Sequence, residues 1–95
     1  MSTTNETVAS TQDTEEAVRD NLVGFLEGHV KNTVAPDLDL FDSGLVSSLF
    51  AMQLVVHLEG TFGVTVGGPD LKLDNFRTVN AMTALVGRLR ADAGE

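Results

Sequence analysis

Few side chains in this sequence are equipped for chemistry. Two adjacent serines, Ser47 and Ser48, follow a turn-forming Asp42-Ser43-Gly44 and open an apolar run with no Gly or Pro before Gly60. His29 and His57 are the candidate bases, and Asp37, Asp39 and Asp42 have the look of a partial cation loop. With no cysteine, the chain has no thiol, no disulfide and no thiolate metal site. A nucleophilic serine needs a base within hydrogen-bond reach. His57 lies nine positions after Ser48 on the same helical run, more than two turns away, and cannot serve within one chain. The aspartates lack the glycine at the sixth loop position and the closing bidentate Glu that calcium requires. No Gly-rich phosphate loop, His/carboxylate metal cluster or carboxylate pair is present. What remains is a hydroxyl at the start of a helix with nothing to activate it. That pattern suits the substrate of another enzyme better than an enzyme.

The helix beginning near the serines is the element that must position them. Serine is a favoured N-cap, so one of the pair is expected to cap and the other to lie in the first turn with its hydroxyl in solvent. Ala51, Leu54, Val55, Leu58 and Phe62 form a core stripe at helical spacing. Leu49, Met52 and Val56 form a second stripe on the other side. Either this helix is buried on both faces, or the second stripe is a docking face beside a presented serine.

The remaining elements follow from the same rules. Thr14-Glu15-Glu16 starts a first helix, with Val18, Leu22, Phe25, Leu26 and Val30 at core spacing. Gly24 and Gly28 weaken it or admit a second helix closely. A long connection runs from Thr33 to about Val46, pinned by Leu38, Leu40 and Phe41. After the central helix, Phe62 to Val66 reads as an extended connector whose valines plug the core. Asp70 to Asn75 reads as a short irregular helical turn with Leu71, Leu73 and Phe76 inward. Thr78 caps a last helix carrying Val79, Met82, Leu85, Val86 and Leu89, with Arg88 and Arg90 near its negative end. The two His are expected to be plain surface residues.

The fold class is therefore all-α: a small four-helix bundle with three longer helices, one short one and a long loop between the first two. The 95 residues suit one domain, divided into a disordered tail over 1–13, a helical domain over 14–91 and a frayed end over 92–95. The net charge of −8, with six unclustered Lys and Arg, argues against nucleic acid. No run is long and apolar enough to span a membrane and no secretory signal opens the chain, so a cytoplasmic monomer is expected.

Leu40-Phe41-Asp42-Ser43-Gly44-Leu45-Val46-Ser47-Ser48, with Leu58-Glu59 and Phe62-Gly63-Val64 after it, resembles the central segment of acyl and peptidyl carrier proteins. The resemblance covers roughly residues 15–90. It implies a carrier-type bundle whose serine at the second helix, Ser48 here, bears a 4′-phosphopantetheine arm. The family usually has Asp before that serine. Here Ser47 stands there, which leaves Ser47 as the alternative by one residue. A phosphopantetheinyl transferase would supply base and metal, and the serine oxygen would attack the pyrophosphate of coenzyme A. The thiol of the arm would then carry acyl groups as thioesters, and a helix N-terminus would favour the phosphodiester charge. Leu49, Met52 and Val56, with Asp42 and Ser47, would contact the transferase and the acyl-loading and acyl-modifying enzymes. Fatty-acid carriers usually make this helix strongly acidic; Glu59 is its only acid here, so recognition should lean on apolar contact.

The run Ser47 to Val55, with Asp74-Asn75-Phe76-Arg77-Thr78-Val79, is similar to discrete carriers of unusual polyketide extender units. Those are the glyceryl, hydroxymalonyl, methoxymalonyl and aminomalonyl types of antibiotic biosynthesis, and they imply a polyketide synthase acyltransferase as a further partner. The central segment also resembles D-alanyl and peptidyl carriers. A reading from another class is an unmodified helical adaptor, with Leu49, Met52 and Val56 binding a partner helix.

Overall fold

The computed structural model describes residues 14–93. The tail expected over 1–13 and the last two residues lie outside them. Three α-helices carry the fold: α1 (Glu15–Val30), α2 (Phe50–Phe62) and α3 (Val79–Ala93). No strand occurs among the described residues.

Two helix starts are made as the sequence predicts. The Thr14 hydroxyl accepts from the Ala17 amide at 3.1 Å, and the Thr78 hydroxyl from the Ala81 amide at 2.9 Å. The start of α2 is different. Neither serine caps it with its side chain; Leu49 precedes it in the αR region at φ −65°, ψ −30°. The carbonyls of Ser47, Ser48 and Leu49 instead accept from the amides of Phe50, Ala51 and Met52 at 2.9–3.3 Å. These i→i+3 bonds wind the chain tightly into α2 and satisfy its first donors without a hydroxyl.

Two helix ends share a device. Lys31 and Gly63 adopt the left-handed conformation, and their amides donate to the carbonyls of Glu27 and Glu59. Each of those glutamates also reaches forward. Glu27 Oε2 accepts from the Val34 amide and Glu59 Oε2 from the Val66 amide, both at 2.9 Å. The sequences match as well: Leu26-Glu27-Gly28 with Thr33-Val34, and Leu58-Glu59-Gly60 with Thr65-Val66. In both cases the carboxylate turns the exiting chain back so that its valine enters the core.

The core is one cluster. Val18, Leu22 and Leu26 of α1, Leu54, Val55 and Leu58 of α2, and Val79, Met82, Leu85 and Val86 of α3 are all buried. Leu40 from the long connection and Val64 and Val66 from the second connector complete it, as expected; Phe25, Val30, Phe41, Phe62 and Leu89 pack half-buried against it. Phe50, Val34 and Val46 are also buried, although the spacing rules gave them no place. Among the described residues the one buried polar side chain, Thr83, donates to the Val79 carbonyl at 2.9 Å.

Three expectations need correction. The short fourth helix does not form as one element: residues after Gly67 make two 3₁₀ turns, Gly68–Asp70 and Leu73–Phe76. Pro69 sits within the first, and an extended Lys72 (φ −124°, ψ 139°) separates them, so no run is long enough for i→i+4 bonding. Phe76 is buried, but Leu71 and Leu73 are 49% and 43% exposed, because the break at Lys72 takes them off a common inward face. Gly24 and Gly28 admit no helix: an added Cβ at either would meet nothing within 4 Å. α3 runs to Ala93. Its Arg88 bonds Asp70 at 2.9 Å and Arg90 lies 5.5 Å over the Phe62 ring, so both arginines tie α3 to neighbours.

Candidate functional site: an exposed serine at the head of α2

The loop ahead of the serines is a closed knot of hydrogen bonds. Asp39 Oδ1 accepts from the amides of Phe41 and Asp42 at 3.1 and 2.9 Å. Ser43 Oγ donates to the Leu40 carbonyl at 3.1 Å, and the Val46 amide returns to that same carbonyl at 3.2 Å. Gly44, at φ 80°, makes the left-handed step that lets the chain double back. Arg77 clamps this knot from the other side of the sequence. Its guanidinium lies 3.3 Å from Asp39, 2.7 Å from Asp74 and 3.9 Å from Asp42, and its carbonyl accepts from the Leu40 amide at 2.7 Å. The amide of Asp42, opposed by partial burial and aided by the Arg77 charge, holds the Asp39 carboxyl below the usual range. The hydrogen bond to Asp74 leads the causes that raise Arg77.

Ser47 and Ser48 emerge from this knot exposed. Neither hydroxyl has a hydrogen-bond partner among the described residues. Leu49, Met52 and Val56 continue from them at 83%, 63% and 67% exposure. The reading of α2 as buried on both faces is therefore wrong, since its second stripe lies in water. An open groove of about 430 Å³ borders the stripe on the α1 side, lined by Phe25, Met52, Gln53, Val56 and His57. Asp42, also expected at the partner surface, has an 83% exposed side chain with Arg77 near it. Glu59 is committed to the Val66 amide, so the only acid of α2 is structural.

His29 is exposed, as expected, whereas His57 is half-buried. His57 stacks on Phe25 and His29 on Phe50, both with ring centroids 3.9 Å apart. These stacks join α1 to α2. His57 Nε2 lies 2.8 Å from Asn21 Oδ1 and Nδ1 lies 3.4 Å from the Thr61 hydroxyl. The set is consistent if Nε2–H donates to Asn21 and Nδ1 accepts from Thr61. Burial lowers the His57 pKa, favouring this neutral form. Among the described residues, no group of three His, Cys, Asp or Glu could hold a metal ion. The Asp39–Arg77 clamp was missed in the sequence; its Asp-x-x-Asp-Ser-Gly turn is a local signal, but nothing local points to an arginine 38 positions away.

The serine hydroxyls are thus exposed and unbonded, and the helix face that follows them is apolar and exposed. The chain belongs to the family described as "Phosphopantetheine attachment site", which matches residues 17–86. It is a carrier protein, and 4′-phosphopantetheine, covalently attached, is the group that family implies. Carrier proteins work with a phosphopantetheinyl transferase and with acyl-handling enzymes. The chain is similar to the D-alanyl carrier protein of Lactococcus lactis subsp. cremoris (strain MG1363), 34% identical over 50 residues, or 53% of this chain and 63% of that one. It is also similar to those of Streptococcus mutans serotype c, 35% over 54 residues, and Streptococcus pyogenes serotype M1, 37% over 54 residues; in both cases 57% of this chain and 68% of the relative is covered. The chain thus spans under two thirds of the Lactococcus protein. No described helix is long and apolar enough to cross a membrane.

The residues present fit the arm. Ser48 offers an accessible oxygen, and no acidic side chain of α2's first turn opposes a phosphodiester there. The amides of Phe50, Ala51 and Met52 are already engaged by the preceding turn, so a negative charge at Ser48 would gain from the helix dipole more than from direct bonds to them.

Proposed function

We propose that this chain is an acyl carrier whose Ser48 is the attachment point, serving the biosynthesis of an unusual polyketide extender unit of the glyceryl, hydroxymalonyl, methoxymalonyl or aminomalonyl type. The observation that carries the attachment is the unbonded Ser48 hydroxyl at the head of an α2 face that is exposed and apolar. When bound, the arm supplies the thiol that a cysteine-free chain lacks, and acyl groups ride on it as thioesters. The chain's own part is to hold the loop with Arg77 and Asp39, to expose the serine oxygen to the transferase's base, and to offer Leu49, Met52 and Val56 for docking. Ser47 occupies the position usual for Asp and is the register alternative. A polyketide synthase acyltransferase would receive the finished unit, in the cytoplasm.

An aminoacyl cargo is the second reading, favoured by the likeness to D-alanyl carrier proteins. The discriminating experiment loads the arm and then offers candidate activating enzymes in turn, reading the thioester by intact mass. A three-carbon glyceryl or malonyl-type adduct supports the first reading; an alanyl or other aminoacyl adduct overturns it. A chain that no transferase modifies is an adaptor instead.

A further inference from the structure

The head of α2 lacks the device that starts the other two helices. Thr14 and Thr78 cap α1 and α3 with a hydroxyl, but no side chain caps α2 and no acid lies in its first turn. Ser47, Ser48 and Leu49 are all exposed, and a buried residue stands at each end of them: Val46 before and Phe50 after. The segment that carries the serines is thus a short bridge between two anchors. Backbone i→i+3 bonds at 2.9–3.3 Å tie its carbonyls to the first amides of α2, so a shift of Phe50 carries to the serines.

The first anchor is the loop knot. The Val46 amide donates to the Leu40 carbonyl, and Arg77 clamps that loop through Asp39. The second anchor is made by α1. His29 lies on the Phe50 ring with centroids 3.9 Å and planes 23° apart, and Phe25 stacks on the same ring at 6.0 Å and 16°. Phe25 and His29 are i, i+4 neighbours and share a face of α1. His57 then stacks on Phe25 at 3.9 Å. His29, Phe50, Phe25 and His57 therefore form a ladder of rings drawn alternately from α1 and α2, with His29 the outermost rung at the serine end. His29 is exposed, so core filling does not account for it. Its imidazole makes no hydrogen bond or ion pair among the described residues, which leaves the stack as its contact.

We propose that His29 is a positioning residue for loading: it holds the Phe50 ring, and through Phe50 it fixes where the Ser48 oxygen stands. This rests on attachment at Ser48. In that step the Ser48 oxygen bonds to the phosphorus on the pantetheine side of the coenzyme A pyrophosphate, its proton passes to the transferase's base, and adenosine bisphosphate leaves. The oxygen must stand in line with the phosphorus and within about 3–3.5 Å of it. Met52 and Val56, which offer the docking contact, lie further along α2 and keep it without His29. A chain without the outer rung docks as before but presents a wandering serine, so a smaller share of docked chains is in reacting geometry. The loss falls on kcat and not on KM.

The test measures loading of the full chain from coenzyme A by a broad-specificity transferase in H29A and H29F, with amide hydrogen exchange of each. H29A is expected to lower kcat about two- to tenfold, the scale of one aromatic pair, with KM inside about twofold of the native value. Exchange at the Phe50, Ala51 and Met52 amides should quicken by a similar factor, while the α3 amides from Met82 to Val86 keep their rates. H29F keeps a ring and should restore both. An H29A chain loaded at the native kcat, a loss confined to KM, or an H29F chain no better than H29A overturns the positioning role and leaves the attachment standing. Faster exchange throughout α3 as well, with kcat unchanged, would show a role in stability alone and overturn it too. A native chain that never gains mass overturns the attachment, and the positioning role with it.

Discussion

Met52→Ala should weaken docking by partner enzymes while leaving the fold untouched. Full burial of a Met side chain is worth about 1.5–3 kcal/mol. Because Met52 is 63% exposed, a partner covering it would gain about 1–2 kcal/mol, most of which alanine forfeits. That corresponds to about a 5- to 30-fold rise in the KM of the transferase for the carrier. Stability should change by less than about 0.5 kcal/mol, since the side chain has few core contacts to lose. The same surface makes a second statement about salt. The only acid of α2 itself, Glu59, is bonded to the Val66 amide, so the helix puts no free carboxylate beside the stripe. KM should therefore vary weakly with ionic strength, unlike an encounter steered by charge. Steady-state transfer at several salt concentrations, with a thermal melt of each variant, measures all of this. A KM change under about twofold, or a KM that climbs steeply with salt, would refute the apolar docking face.

Other consequences follow from the contacts that set the loop and the helix ends. Glu59→Ala leaves the Val66 amide without its acceptor and should cost about 1–2 kcal/mol in chemical denaturation, and Glu27→Ala should cost a similar amount through Val34. His57 has a folded-state pKa below its ordinary 6.5, so the unfolded chain binds the proton more readily. Its contribution is thus complete above pH 6.5 and is lost as pH falls through the depressed folded value; Tm should drop across that window in the native chain and less so in His57→Gln. Arg77→Ala should slow transferase loading while the helix signal in circular dichroism stays the same, because the clamp acts on the loop and not on α1–α3. An unchanged loading rate would show that the knot holds its shape through backbone bonds alone.

Periodicity made the three helices and most of their buried faces readable, because Val18, Leu22, Leu26 and Val79, Met82, Val86 obey one spacing in one environment. The threonine caps were readable for a similar reason: each is a local bond over three residues. The exposed stripe was recognisable as a stripe, but only its surroundings could show that nothing covers it. The serines do not cap α2 because the tight turn through Ser47–Leu49 satisfies the amides first. Leu71 and Leu73 stay outside because Lys72 breaks the helical path. His57 is half-buried and not at the surface because its partner, Phe25, lies on a different helix. The first two are local departures with no residue pattern to mark them, and the last rests on a contact between helices that a sequence window does not contain.

The central claim is that Ser48 is the attachment point, and fragment mass spectrometry after incubation with coenzyme A and a broad-specificity transferase tests it most directly. A gain of about 340 Da localised to Ser48, retained in Ser47→Ala and absent in Ser48→Ala, is the predicted result. The same gain localised to Ser47, or surviving in Ser48→Ala, would contradict it.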